Sequence, residues 1–187
     1  MRKLLNFVKD YILSNCIETK EKLEIHKIFL KSIFDDEDKR KISIENKTAQ
    51  LLSHTSIIFA FFSFVINFFI GKVVGYNKII LISFIVVLFI TMFCYVKTIY
   101  HAIKNYKITK FKYSHPNPQN VITNKGNSIE FIKEEIKDLL FCIDKNIDIN
   151  NEKGTNLDTA CDYFRYAFLC SAFLVFIIIG LVLLFPI

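Results

Sequence analysis

The sequence predicts an all-α membrane protein: three transmembrane helices, at about residues 51–71, 78–97 and 166–186, with a cytoplasmic helical layer. Two observations carry this expectation. First, 52% of the 187 residues are hydrophobic and the mean hydropathy is +0.35, more apolar than most soluble domains. The excess lies in three blocks without formal charge: residues 48–71, 79–96 and 166–187, of 24, 18 and 22 residues. A spanning helix needs about 20, within roughly 17 to 25. Second, lysine and arginine divide unevenly. Residues 1–50 and 97–165 carry 11 each, whereas the loop at 71–78 carries 2. The positive-inside rule puts both rich segments in the cytoplasm and "FPI" outside.

Residues 1–44 form a cytoplasmic region of amphipathic helices. Leu5, Val8 and Ile12 share one face, and Leu23, Ile28 and Phe29 begin another. "DDEDKRK" at 35–41 interrupts the apolar pattern and reads as a solvated turn. No cleavable signal peptide is expected, because Lys9 and Asp10 break any apolar core at the start.

Residues 45–97 form a transmembrane hairpin, and the short "GKVVGYNK" allows antiparallel neighbours. One face of the first span is small or polar: Ser53, Ser56, Ala60, Ser63, Asn67 and Gly71, at spacings of 3, 4, 3, 4 and 4. Small residues let membrane helices approach closely. The same face, repeated in an oligomer, suits a narrow wet path, with Ser56, Ala60, Ser63 and Asn67 as candidate pore-lining residues. Three spans cannot enclose much of a pore alone. No span contains an acidic residue, which disfavours a carboxylate proton relay.

Residues 98–165 form a second cytoplasmic helical region. Its first part interleaves Lys97, Lys104, Lys107, Lys110 and Lys112 with Tyr100, Tyr106, Phe111 and Tyr113, followed by His115. Lysines neutralise phosphates and aromatic faces stack on bases, which suits a nucleotide. Anionic headgroups suit the same residues. Pro116 and Pro118 end that helix. Asn127 with Glu130 reads as a capping box. Ile129, Ile132, Ile136, Leu139, Ile143 and Ile147 then form a coiled-coil-like stripe, expected to hold protomers together. Gly154 is expected to interrupt the helix before the C-terminal span at 166–187.

No catalytic constellation, phosphate loop or metal-ligand spacing is present, so neither an enzyme nor a cofactor is expected. The five cysteines form no CxxC pair and read as small buried hydrophobes.

"ENKTAQLLSHTSIIFAF" at 45–61 resembles the entry to the first membrane helix of SLATT-domain and Pycsar-type bacterial transmembrane effectors. Glu45, Asn46, Lys47, Leu51 and Leu52 carry the match, with Thr48 in place of the usual alanine. "NEKGTNLDTACDYFRYAFL" is similar to that group's lysine-led entry into a final span, through Lys153, Leu157 and Ala160. The third span departs from the minimal two-span form. The resemblance implies an anti-phage defence effector of the bacterial inner membrane, homo-oligomeric and regulated by a cyclic nucleotide or short oligonucleotide. A nucleotidyltransferase or cyclase would be its functional partner. Ligand contacts are then expected from Lys104, Lys107, Lys110, Lys112 and His115, with Lys47, Lys153 and Arg165 at the membrane-proximal end. The alternative is a non-conducting scaffold that binds anionic lipid and a protein partner.

Overall fold

The structure, a computed structural model, describes residues 19–70, 78–112, 114–116 and 127–184; side chains at 65, 67–70, 78–80, 107–112 and 181–184 fall outside that description. The described residues form three helices and no strand: α1 (Lys20–Ile70), α2 (Lys78–Lys112) and α3 (Ser128–Leu184). They contribute to two compact units. The first comprises Met1–Ile44 and Ile108–Lys153, the second Glu45–Lys107 and Gly154–Ile187.

In the first unit, α1 and α3 run parallel, since Lys27 pairs with Glu135 and Glu37 with Asn150 further along both chains. The core is Leu23 and Leu30 of α1 against Ile132, Ile136, Leu139, Leu140, Ile143 and Ile147 of α3. The isoleucine stripe is therefore used up against α1 of the same chain, and the expectation that it joins protomers is corrected. Its helix starts as expected. Asn127 Oδ1 accepts from the amides of Ile129 (3.1 Å) and Glu130 (3.0 Å), and the Asn127 amide donates to Glu130 Oε2 (3.3 Å). These contacts satisfy donors that a helix start leaves without partners.

In the second unit, α2 is antiparallel to α1 and α3. Asn105 reaches Thr48 and Tyr95 meets Phe62, while His101 stacks on Tyr163 and Tyr95 bonds Ser171. Phe62, Tyr95, Ala167 and Leu174 fill its middle.

Two expected breaks are absent. Residues 35–41 lie inside α1, where Asp36–Lys39, Glu37–Arg40 and Asp38–Lys41 pair one turn apart. Such pairs support a helix as readily as charge runs punctuate a loop. α3 also passes through Gly154 unbroken. Glycine costs a helix only about 1 kcal/mol, which packing on both sides outweighs.

Among the described residues, two helical stretches, Leu81–Tyr106 and Ser128–Gly180, are long and apolar enough to cross a membrane. The expected first span ends among side chains that are not described. In the two stretches only 17% of the most apolar window is buried, unlike the core helix of a soluble protein.

Two substitutions test the energetics. Ile136→Ala, at a fully buried position, should destabilise the protein by about 2–5 kcal/mol. Gly154→Ala should stabilise it by up to about 1 kcal/mol, because an added Cβ meets nothing within 4 Å. Thermal unfolding in detergent, followed by circular dichroism, measures both.

Candidate functional site

The first candidate surface lies on α2. From Lys78 to Lys112 this helix holds six lysines and no carboxylate. Its outer face begins apolar, with Ile82, Val86, Phe89, Ile90 and Phe93 all exposed. It then turns basic and aromatic. The Lys97 ammonium lies 5.5 Å from the centre of the Phe93 ring and 6.0 Å from that of Tyr100. Tyr100, Lys104 and Tyr106 are exposed beyond it. A cation over two ring faces keeps its charge at the surface while its stem covers apolar area. Side chains of Lys107, Lys110 and Lys112 lie outside the description. His115 belongs to the first unit, edge-on to Phe34 at 6.3 Å.

Of the remaining expected ligand residues, Lys47 and Arg165 both belong to the second unit. Burial, then Asp158, pushes the Cys161 thiol up, and the positive charges of Arg165 and Lys47 oppose that shift. Arg165 is also paired with Asp162 at 3.4 Å. Lys153 belongs to the first unit and is fully buried, so it does not present its ammonium to a ligand at the surface.

The second candidate is the serine face of α1. Ser53, Ser56, Ala60 and Ser63 are all exposed, pointing away from α2 and α3 within the unit. Each serine hydroxyl donates to the carbonyl four residues back: Ala49 (3.0 Å), Leu52 (2.9 Å) and Phe59 (3.0 Å). The face is therefore flat and internally satisfied. It is flanked by exposed Ile57, Phe61 and Phe64. The Asn67 side chain is not described.

Buried hydroxyls inside the unit follow the same logic. Thr55, Thr91, Thr98 and Ser171 bond carbonyls of their own helices. Contacts that join helices include Tyr95 Oη with Ser171 Oγ at 2.9 Å, Asn105 Nδ2 donating to Thr48 Oγ1 at 3.2 Å, and His101 with the Asn156 side chain.

The first unit holds a polar network that sequence reasoning missed. Asn150 is fully buried, and its Nδ2 donates to the Glu37 carbonyl (2.9 Å) and carboxylate (2.8 Å). Arg40 bridges Glu37 (3.5 Å) and Asn151 (2.9 Å). Asn146 clasps the backbone of Ser114, accepting from its amide and donating to its carbonyl, both at 2.9 Å. A signal existed: after Ile143, the stripe continues through Asn146, Asn150 and Lys153 at spacings of 3, 4 and 3.

A cleft of about 380 Å³ opens at the first turns of α1 and α3, lined by Lys20, Glu24, Lys27, Phe131 and Glu135 among others. Its lysines already face carboxylates, Lys20–Glu24 at 4.0 Å and Lys27–Glu135 at 2.5 Å. A phosphate there must displace them, so the cleft is a poor anion site. No group of metal-ligating side chains occurs among the described residues. No protein-family model, curated protein or solved structure matches the chain.

Two outcomes follow. Asn150→Leu removes the amide that bonds the buried Glu37 carboxylate, leaving that carboxylate with Arg40 alone, and should cost about 1–3 kcal/mol, whereas adding Glu37→Leu should recover most of that loss; urea unfolding of the single and double variants checks it. The Cys142 thiol is also pushed up, by burial and then by Asp138. A raised pKa keeps it protonated at neutral pH, so alkylation should be slow in the folded protein and should speed up above pH 9 or on unfolding. Mass spectrometry of iodoacetamide adducts measures this.

Proposed function

We propose that the chain is a pore-forming effector of a bacterial anti-phage system, acting as a homo-oligomer in the inner membrane. In this reading α1 supplies a third span, the N-terminus is cytoplasmic and the C-terminus external. A cyclic nucleotide or short oligonucleotide from a partner nucleotidyltransferase or cyclase regulates it through the segment 104–112. Ion flux then arrests growth.

The outward serine face of α1 carries this reading. Phe62, Tyr95, Ala167 and Leu174 occupy the middle of the second unit, so a wet path must run between copies. Ser56, Ala60 and Ser63 are exposed and available to line it. Ligand gates by binding one oligomer state more tightly than another.

The alternative, a non-conducting scaffold that binds anionic lipid and a protein partner, draws on a different observation: Lys97 already rests on the Phe93 and Tyr100 rings.

Flux from dye- or potassium-loaded liposomes tests the pore. Ser56→Leu and Ser63→Leu should each lower flux by roughly tenfold, an added barrier of about 1.4 kcal/mol, without loss of expression. Ala60→Cys should cross-link between copies. A protein that remains monomeric and passes no ions, with or without nucleotides, sinks the pore and leaves the scaffold.

A further inference from the structure

The three helices of the second unit change character at one common level. On α2 the exposed face is apolar through Phe93 and Val96, gains its first cation at the half-buried Lys97 and is then mixed, with Tyr100 (60% exposed), Ile103 and Lys104. On α3 the exposed residues are Asp162 and Arg165, then Tyr166 (62% exposed), then Phe168, Leu169, Phe173 and Phe176. On α1 they are Lys47 and His54, then Ile57, Phe61 and Phe64 alongside the serine face of Ser56, Ala60 and Ser63.

Contacts within the unit show that these changes coincide. His101 stacks on Tyr163 with ring centres 5.7 Å apart, and Tyr95 meets Phe164 at 6.3 Å. The Lys97–Tyr100 turn of α2 therefore lies beside the Arg165–Tyr166 turn of α3. The Asn105–Thr48 and Tyr95–Phe62 contacts bracket the same turn on α1. His54 falls between them.

From this coincidence we infer that the second unit docks a bilayer surface of anionic lipid, with the headgroup plane passing through His54, Lys97, Tyr100 and Tyr166. The inference rests on the membrane reading above and adds to it a depth and a lipid chemistry. Tyrosine suits that plane because its ring is apolar and its hydroxyl is wet. Lys97 supplies the charge preference. Its Phe93 and Tyr100 contacts hold it at the edge of the apolar face, and α2 offers it no carboxylate. Lys104, about 10 Å further along the helix, stays with the proposed ligand segment.

The chain contains no tryptophan, so single substitutions act as clean depth probes. Phe89→Trp, Tyr100→Trp and Tyr166→Trp, each in the full chain, are reconstituted in phosphatidylcholine vesicles with and without phosphatidylglycerol. Fluorescence is quenched by lipids carrying bromine deep in the tail or a spin label near the headgroup. The expected result is deep quenching of the Phe89→Trp probe and shallow quenching of the other two. Lys97→Gln should lower the preference for spin-labelled phosphatidylglycerol over phosphatidylcholine by roughly fivefold.

The failures are distinguishable. Absence of lipid quenching at all three probes overturns the membrane reading and the docking plane together. Deep quenching at Phe89→Trp with equally deep quenching at Tyr100→Trp and Tyr166→Trp overturns the plane alone. An unchanged lipid preference in Lys97→Gln overturns the anionic assignment. Circular dichroism matching that of the parent protein shows that each variant retains its helices.

Discussion

The second unit carries more large apolar side chains on its outside than in its middle, and this inversion constrains everything else about it. Ile57, Phe61, Phe89, Phe93, Phe168, Phe173 and Phe176 face outward, while Phe62, Tyr95 and Leu174 lie within. When surroundings are as apolar as the interior, burial of apolar area no longer holds helices together. Specific contacts must do so. Tyr95 with Ser171, Asn105 with Thr48 and His101 with Asn156 are among the hydrogen bonds joining helices there. In the proposed bilayer there would be no water for backbone groups, and helices, whose bonds are internal, suit that setting. Buried threonines obey the rule by bonding their own carbonyls.

The first unit works in the opposite way. Its two parallel helices bury one continuous apolar stripe, as a water-soluble pair does. An isoleucine stripe tolerates sliding, because neighbouring registers bury similar area. The Glu37–Asn150 pair does not, since a shift of one turn leaves a buried amide without its partners and the buried carboxylate with Arg40 alone. Buried polar pairs commonly set register in coiled coils at some cost in stability. Asn146 adds a second constraint, fixing the chain beyond α2 through the backbone of Ser114.

Much of this was legible from residue spacing. The capping box at Asn127 is local chemistry and was readable for that reason. The apolar blocks at 79–96 and 166–187 follow from composition alone. The outward direction of the serine face was not readable, since small residues suit a packed face and an open one equally. Nor was the continuity of α1 and α3. A run of seven charged residues at 35–41 looks like punctuation until its members are seen to pair at three-residue spacing on a helix, with Glu37 turned inward. The partner of the isoleucine stripe was also hidden. A heptad pattern states that a helix has a partner but not whether that partner is another chain or an earlier part of the same one.

Helix continuity limits how any signal could travel. α1 and α3 each begin in the first unit and end in the second without a break, whereas α2 contributes little to the first beyond residues 108–112. A loop between the units would absorb a local displacement. A hydrogen-bonded helix resists bending and passes axial shift or rotation along its length. Glu37 and Ser56 lie on the same helix, 19 residues apart in sequence. A ligand that favours one arrangement of the Glu37–Asn150 contact over another thus has a mechanical route to the proposed pore face. One that binds with equal affinity to both arrangements has none, however tightly it binds.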